Sequence, residues 1–184
     1  MAALGVWLVR HGATTAPVGV AIGASDPPLS ESGQLQAEGL ASELAHRPLS
    51  RIFASDRRRA LMTAQAIASP HGIPVEVDLR LRELDFGAWE GRPLSELWRE
   101  DPAAAAAWER DLRMGPSSLG ESVGEFEARV LEFWTQSRTL AKSEVAVVAH
   151  RGSLAVLQAL LSGASLESTF SSAIELGRAV LLPA

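Results

Sequence analysis

Two of the four histidines stand in matching surroundings. His11 lies in Arg10-His11-Gly12 and His150 in His150-Arg151-Gly152, each just beyond a short apolar run. A third apolar run, Ile52-Phe53-Ala54, leads into Ser55-Asp56-Arg57-Arg58-Arg59. If these runs are parallel strands of one sheet, their carboxyl ends bring two histidines and several arginines to one edge, where open α/β sheets bind ligands. Arginine forks grip phosphate oxygens with paired hydrogen bonds. Glycine lets backbone amides come close to an anion. Neighbouring arginines favour a neutral imidazole, which is a competent nucleophile toward phosphorus. The chemistry implied is phosphoryl transfer through His11. Taken singly, each residue has a plainer reading. A strand-end histidine can be a satisfied structural group, and Arg57-Arg58-Arg59 a solvated helix start. Helical spacing does not choose which of the three arginines would face a site.

Positioning these groups requires strands that end together. Leu4 to Val9 and Val145 to Ala149 are continuous apolar runs rich in β-branched residues, as expected of strands buried on both faces. Ile52 to Ala54 and Val75 to Val77 are read the same way, and Ala173 to Leu176 with Ala179 to Leu182, flanking Gly177, as a closing hairpin. Helical periodicity lies between them. Ser30 to Ala45 aligns Ala37, Leu40, Ala41 and Leu44, and Asp56 to Ala68 aligns Ala60, Ala64 and Ile67. Ser122 to Leu140 aligns Val123, Phe126, Val130, Phe133 and Trp134, opening with the capping-box spacing Ser122-x-x-Glu125. Ser153 to Leu161 is a mostly apolar fourth helix. Strands alternating with helices predict an α/β protein, a three-layer α/β/α sandwich around a mainly parallel central sheet. Residues 86–120 break the alternation with Gly87, Gly91, Pro93, Pro102, Gly115, Pro116 and Gly120. They read as an insertion covering the site, with short helices near 93–99 and 102–112, in a chain otherwise read as a single domain over residues 1–184.

Composition narrows the function classes. The 184 residues carry 22 acidic against 17 basic side chains, a net charge of −5, which argues against a nucleic-acid binder. With no cysteine, disulfides and thiolate metal sites are excluded. No apolar run approaches the ~18 residues that a membrane span needs, and the first nine residues lack the basic start of a signal peptide. A soluble, cytoplasmic protein is expected.

The segments around these residues resemble a known family. Leu8-Val9-Arg10-His11-Gly12-Ala13-Thr14 resembles the L-V-R-H-G-x-T signature of the histidine phosphatase superfamily, which also holds the cofactor-dependent phosphoglycerate mutases. Pro28-Leu29-Ser30-x-x-Gly33-x-x-Gln36-Ala37, Ser55-Asp56-x-x-Arg59-Ala60-x-x-Thr63-Ala64 and Leu81-Arg82-Glu83-Leu84-Asp85-Phe86-Gly87-x-Trp89-Glu90-Gly91 are similar to its next three motifs. Val147-Val148-Ala149-His150-x-Gly152 is similar to its second histidine motif, and all five fall in family order. The resemblance implies a phosphoglycerate mutase-like fold and a set of roles. His11 would form phosphohistidine. Arg10, Arg59 and His150 would hold the transferring phosphoryl group. Glu83 would protonate the leaving oxygen and then activate water. Of the three arginines the motif selects Arg59. Thr14 would either bond near the phosphate or cap the next helix. No metal and no cofactor are implied, because the arginines supply the positive charge.

The chain departs from the family pattern at two places. Pro17 stands where the family often has a phosphate-binding asparagine, and Arg151 replaces a small residue, where its side chain would add a phosphate contact or alter access. The stretch from Leu84 to Pro93, with Trp108-x-x-Asp111 and Gly120-Glu121-Ser122, is similar to the α-ribazole phosphatases of cobalamin biosynthesis, apart from Leu119. That likeness implies a benzimidazole nucleotide on which Trp89, Trp98 or Trp108 would stack, although tryptophans at these positions also suit packing. The expected reaction is hydrolysis of a small phosphorylated metabolite. Phosphoglycerate mutase-type transfer and a catalytically weak phospholigand-binding protein are the alternatives. The oligomeric state stays open, a homodimer included.

Overall fold

The computed structural model describes residues 5–110, 120–138 and 143–183. Strands β1 (Gly5–Arg10), β2 (Leu49–Ala54), β3 (Val75–Val77), β4 (Glu144–Ala149) and β5 (Ala179–Pro183) form one sheet in the order β3-β2-β4-β1-β5. β1, β2, β3 and β4 run parallel, and β5 lies antiparallel on β1. The longer helices are α1 (Glu31–Leu44), α2 (Arg58–Ala68), α5 (Val123–Ser137) and α6 (Arg151–Ser162). Between them lie the short helices α3 (Leu94–Glu100), α4 (Pro102–Arg110) and α7 (Leu166–Ser171).

The two-residue period of the strands divides the core between two faces. Val6, Leu8, Phe53, Val145, Val147 and Ala149 point one way, onto Phe126, Val130 and Phe133 of α5 and Leu154 and Leu157 of α6. Val9, Ile52, Ala54, Ala146 and Val148 point the other way, onto Leu40 and Leu44 of α1 and Ala60, Ala64 and Ile67 of α2. Each fully buried Val, Leu, Ile or Phe contributes about 1.5–3 kcal/mol, so both faces must be covered, and the expected three-layer sandwich results. Sequence order then decides the layers: helices of the first half pack on one face and those of the second half on the other.

Several boundaries differ from expectation. β1 extends through Arg10, its expected start at Leu4 lying outside the described residues, α2 starts at Arg58, and α6 starts at Arg151 rather than Ser153. α3 and α4 match the two short helices expected within 86–120, with Pro102 opening the second and the Asp101 carboxylate accepting from the Ala104 amide. Asp111, Leu119 and the expected helix end at Leu140 lie outside the described residues. The hairpin from Ala173 to Leu182 is not formed. β1 presents the edge that β5 pairs with, Val9 opposite Ala179, while Ala173–Leu176 crosses the end of β1, where the Arg10 guanidinium takes the Ile174 carbonyl at 2.9 Å. α7, unforeseen, has six residues of which only Leu166 and Thr169 are buried, too few to show a period.

Candidate active site

Parallel register delivers the histidines together. Arg10 pairs with Ala149 across β1 and β4, so His11 and His150 leave the sheet side by side, their ring centroids 5.1 Å apart. The His11 amide closes the ladder on Ala149 (3.2 Å), and the Gly177 amide holds the His11 carbonyl (3.0 Å). His11 Nδ1 lies 2.8 Å from the Gly12 carbonyl. A carbonyl only accepts, so Nδ1 carries the proton and Nε2 keeps its lone pair. Burial, with help from the charges of Arg59 and Arg10, lowers the His11 pKa to about 3 against the opposing bond to Gly12, so the ring is neutral near pH 7.

Arg59, on the first turn of α2, is 1% exposed and spans the floor of the site. Its Nε donates to His150 Nδ1 (3.2 Å), its Nη1 to the Ser25 carbonyl (2.8 Å) and its Nη2 to the Gly23 carbonyl (3.2 Å). Each terminal nitrogen therefore has a second N–H beyond those bonds. Because His150 Nδ1 accepts, its Nε2 bears the proton. Burial, then Arg59, His11, Arg57 and Arg10, hold the His150 pKa well below its ordinary value. Among the described residues, His150 Nε2 and Arg10 Nε are buried without a hydrogen-bond partner. An unpaired buried donor is costly. Two of them beside the neutral His11 ring, with the spare N–H groups of Arg59, suit an oxyanion such as a phosphoryl group.

Glu83 reaches the same place from an irregular segment after β3. Its two carboxylate oxygens accept from the Gly152 amide (3.2 and 3.0 Å), and Oε1 also accepts from Leu84 (2.9 Å). Its charge opposes the lowering of the Arg10 and Arg59 pKa values that burial causes. The motif glycines serve a purpose different from the one expected. The Gly12 amide is spent on Thr63 Oγ1 (3.2 Å), and a Cβ on Gly12 would lie 2.4 Å from the Gly33 carbonyl of α1. A Cβ on Gly152 would lie 2.3 Å from Glu83 Oε1. One glycine seats α1 against the turn after His11, and the other lets the Glu83 carboxylate dock.

Three residues within the quoted motifs prove to support the site, although spacing alone assigned them no role. Gln36 Oε1 accepts from the Ala13 amide (2.7 Å), bracing the turn after His11. Thr63 links α2 to that turn. Glu90 accepts from the amides of Gly23 (2.9 Å), Ala24 (2.7 Å), Ser25 (3.2 Å) and Phe86 (3.2 Å) and from the Ser25 hydroxyl. Burial works against the Glu90 charge, but the Ser25 hydroxyl and those amides hold its pKa below the ordinary value. Glu90 thereby fixes the loop whose carbonyls grip Arg59.

The remaining expected residues lie higher. Thr14 lines the cavity, its hydroxyl accepting from Ala16 at 3.4 Å. It does not cap α1, whose first turn is capped by Ser30 Oγ, accepting from Gly33 at 3.1 Å. Arg151 also lines the cavity, but its guanidinium is drawn to Phe170, stacking at 4.5 Å from the ring and donating to its carbonyl at 3.0 Å. Arg57 and Arg58 do not line the cavity, and the Arg58 amide is held by Asp26 (2.7 Å). Above the floor the cavity encloses about 680 Å³, walled by Phe86, Trp89, Trp98, Trp108, Phe126 and Phe170. Among the described residues no three His, Asp or Glu side chains group so as to hold a metal ion, and no helix is long and apolar enough to cross a membrane.

Comparisons with known proteins agree with this geometry. The family model described as histidine phosphatase superfamily (branch 1) matches residues 6–182. An adenosylcobalamin/alpha-ribazole phosphatase of Salmonella typhimurium is 35% identical over 158 residues, covering 85% of this chain and 78% of that protein. The structure of a mycobacterial glucosyl-3-phosphoglycerate phosphatase superposes with a TM-score of 0.86 at 30% identity, over 98% of this chain and 90% of that one. A phosphoglycerate mutase of Bacillus anthracis, at 22% identity and a TM-score of 0.81 over 97% of this chain and 86% of its own, shares the fold. The chain belongs to the histidine phosphatase superfamily, branch 1, and is a phosphatase of that type.

Proposed function

We propose that this phosphatase hydrolyses, without a metal, phosphate monoesters whose leaving group has a broad aromatic or apolar body, with α-ribazole 5′-phosphate as the first candidate. One observation carries the reading: cationic and imidazole donors are gathered on the floor, while the wall that would receive the leaving group is mostly aromatic. The relative named for alpha-ribazole phosphate supports the choice. We read the chain as one domain in which residues 86–120 contribute the wall. The lack of cysteine suits a cytoplasmic enzyme.

His11 Nε2 attacks phosphorus from the neutral imidazole, and the bond from phosphorus to the leaving oxygen breaks. Arg10, Arg59 and His150 Nε2–H donate to the equatorial oxygens as charge spreads over them. Glu83, protonated, gives its proton to the leaving oxygen. A water then attacks the phosphohistidine, Glu83 takes its proton, and the P–N bond breaks to release phosphate and neutral His11. Thr14 lies at the floor's rim, where its hydroxyl can add a phosphate contact.

A second reading rests on Arg151, whose guanidinium at the rim could pair with a substrate carboxylate, as in a phosphoglycerate or its glucosyl derivative. Steady-state rates in EDTA on α-ribazole 5′-phosphate, 3-phosphoglycerate and p-nitrophenyl phosphate separate the two. Higher kcat/KM on the aromatic nucleotide supports the first reading, and preference for 3-phosphoglycerate the second. Rapid quench tests the shared chemistry. The wild type should yield an acid-labile, base-stable phosphoenzyme, and His11→Ala should lose it along with turnover. Undiminished turnover in His11→Ala would sink the mechanism. Label moving between hydroxyls of one substrate rather than to water would identify a mutase.

A further inference from the structure

The segment that presents Glu83 has almost no regular structure of its own. After β3 the chain makes one 3-10 turn, Leu79–Leu81, and then runs irregularly to another at Gly87–Trp89. Its backbone carbonyls from Arg80 to Glu83 are gripped by one side chain on α5, Arg129. Arg129 Nη1 donates to the carbonyls of Arg80 (2.7 Å) and Arg82 (2.8 Å). Its Nη2 donates to the Glu83 carbonyl (3.0 Å) and to Glu121 Oε1 (2.5 Å), and its Nε to Glu121 Oε2 (2.9 Å). A guanidinium has five N–H groups, and these bonds use them all.

Glu121 completes the clamp, because the oxygen that takes Arg129 Nη2 also accepts the Asp85 amide (3.0 Å). Next to it, the Gly120 amide holds the Asp85 carbonyl (3.0 Å). The guanidinium lies 4.8 Å over the Phe126 ring, which also packs beside Gly152, the residue whose amide docks the Glu83 carboxylate. Backbone and carboxylate of Glu83 are thus referenced to one cluster.

We propose that Arg129, with Glu121, is a positioning residue for proton transfer by Glu83. The inference rests on the reading of Glu83 as the general acid. Arg129 lines no part of the cavity; it acts through the carbonyls flanking Glu83. Misplacing a catalytic group by about 1 Å can cost on the order of 100-fold in rate. Lysine, with three donors at one point, cannot hold three carbonyls and a carboxylate.

The test is leaving-group dependence of kcat/KM, which reports the first phosphoryl transfer. A p-nitrophenolate leaves without protonation, whereas an alkoxide needs Glu83. In Glu83→Gln the kcat/KM for an alkyl phosphate should therefore fall far more than that for p-nitrophenyl phosphate. In Arg129→Met the same ratio should shift in the same direction, by roughly 10- to 100-fold. Added ethylguanidinium should restore part of it, and Arg129→Met in the Glu83→Gln background should shift the ratio no further. Glu121→Gln should give a smaller shift of the same sign, and serves if Arg129→Met fails to fold. An equal loss on both substrates, in variants whose circular dichroism is native, would overturn the proposal and leave Arg129 a stability element. If Glu83→Gln itself leaves the ratio unchanged, the general-acid reading fails first; if only the Arg129 and Glu121 variants leave it unchanged, the positioning inference alone fails.

Discussion

The floor of the cavity and its walls are built differently. The floor sits on the ends of β1 and β4 and the first turns of α2 and α6, and its side chains are bonded to one another or to the backbone. The walls come mostly from the loop after Thr14, from Phe86 to Trp108 and from α7, in short helices and irregular chain, with Phe126 added from α5. Backbone bonds join two of these pieces: Ala21 to the Arg92 carbonyl (3.0 Å), Gly91 to Ala21 (2.9 Å) and Leu94 to Gly19 (2.8 Å). Val18, at the lip, is fully exposed. On the proposed mechanism, phosphoryl transfer tolerates little displacement of its donors, which suits their place on elements locked by the sheet. Holding a leaving group through apolar contact area demands less, and irregular segments suffice.

If this division is real, damage to the floor should be indifferent to the leaving group. Arg59→Met should lower kcat/KM by roughly 10²- to 10³-fold on aryl, nucleotide and alkyl phosphates alike, because it removes a donor common to all of them. A change in substrate ranking instead would show that the floor also reads the leaving group, and the division would break.

The floor should also carry an acid sensitivity that the walls lack. The folded pKa values of His11 and His150 lie below the ordinary histidine value, that of His11 at about 3. Between about pH 3 and 6.5 the unfolded chain therefore binds more protons, so stability is fully present above pH 6.5 and is lost as pH falls. The limiting slope is about 1.4 kcal/mol per pH unit for each histidine. Urea unfolding between pH 7 and 5 should show the decline, and His11→Asn should make it shallower. A flat profile would mean that the imidazoles are not buried neutral.

The smallest effect is expected at the walls. Trp89 meets Trp98 at a tilt and Trp108 edge to face, with centroids 5.7 and 6.0 Å away. Trp89→Ala should raise KM for α-ribazole 5′-phosphate about tenfold, close to the worth of one aromatic contact, while inhibition by inorganic phosphate stays constant. If phosphate inhibition weakened equally, the wall would be supporting the floor and the two regions would have to be treated as one.

Much of the floor was legible in the chain because its signals are local. An apolar run ending in Arg-His-Gly marks a buried strand with a polar end, and the capping box at Ser122 marks a helix start. The side-chain period then dictates which residues face each layer, since both faces of these strands must be covered. What the linear chain does not encode is which distant groups meet. Gly12 looked like an anion-binding glycine, yet it is small because Gly33 of α1 passes against it. Arg151 was expected to add a phosphate contact or alter access, and no spacing shows that its guanidinium lies over the Phe170 ring. Arg129 carried no signal at all, since the three carbonyls it holds lie 46 to 49 residues away along the chain. The sequence by itself determined the layers, the strand ends and the histidine pair, through periodicity and short-range motif. Only the tertiary structure decided which donors are free, how Glu83 is held and what walls the cavity, because those depend on contacts between segments that no local spacing records.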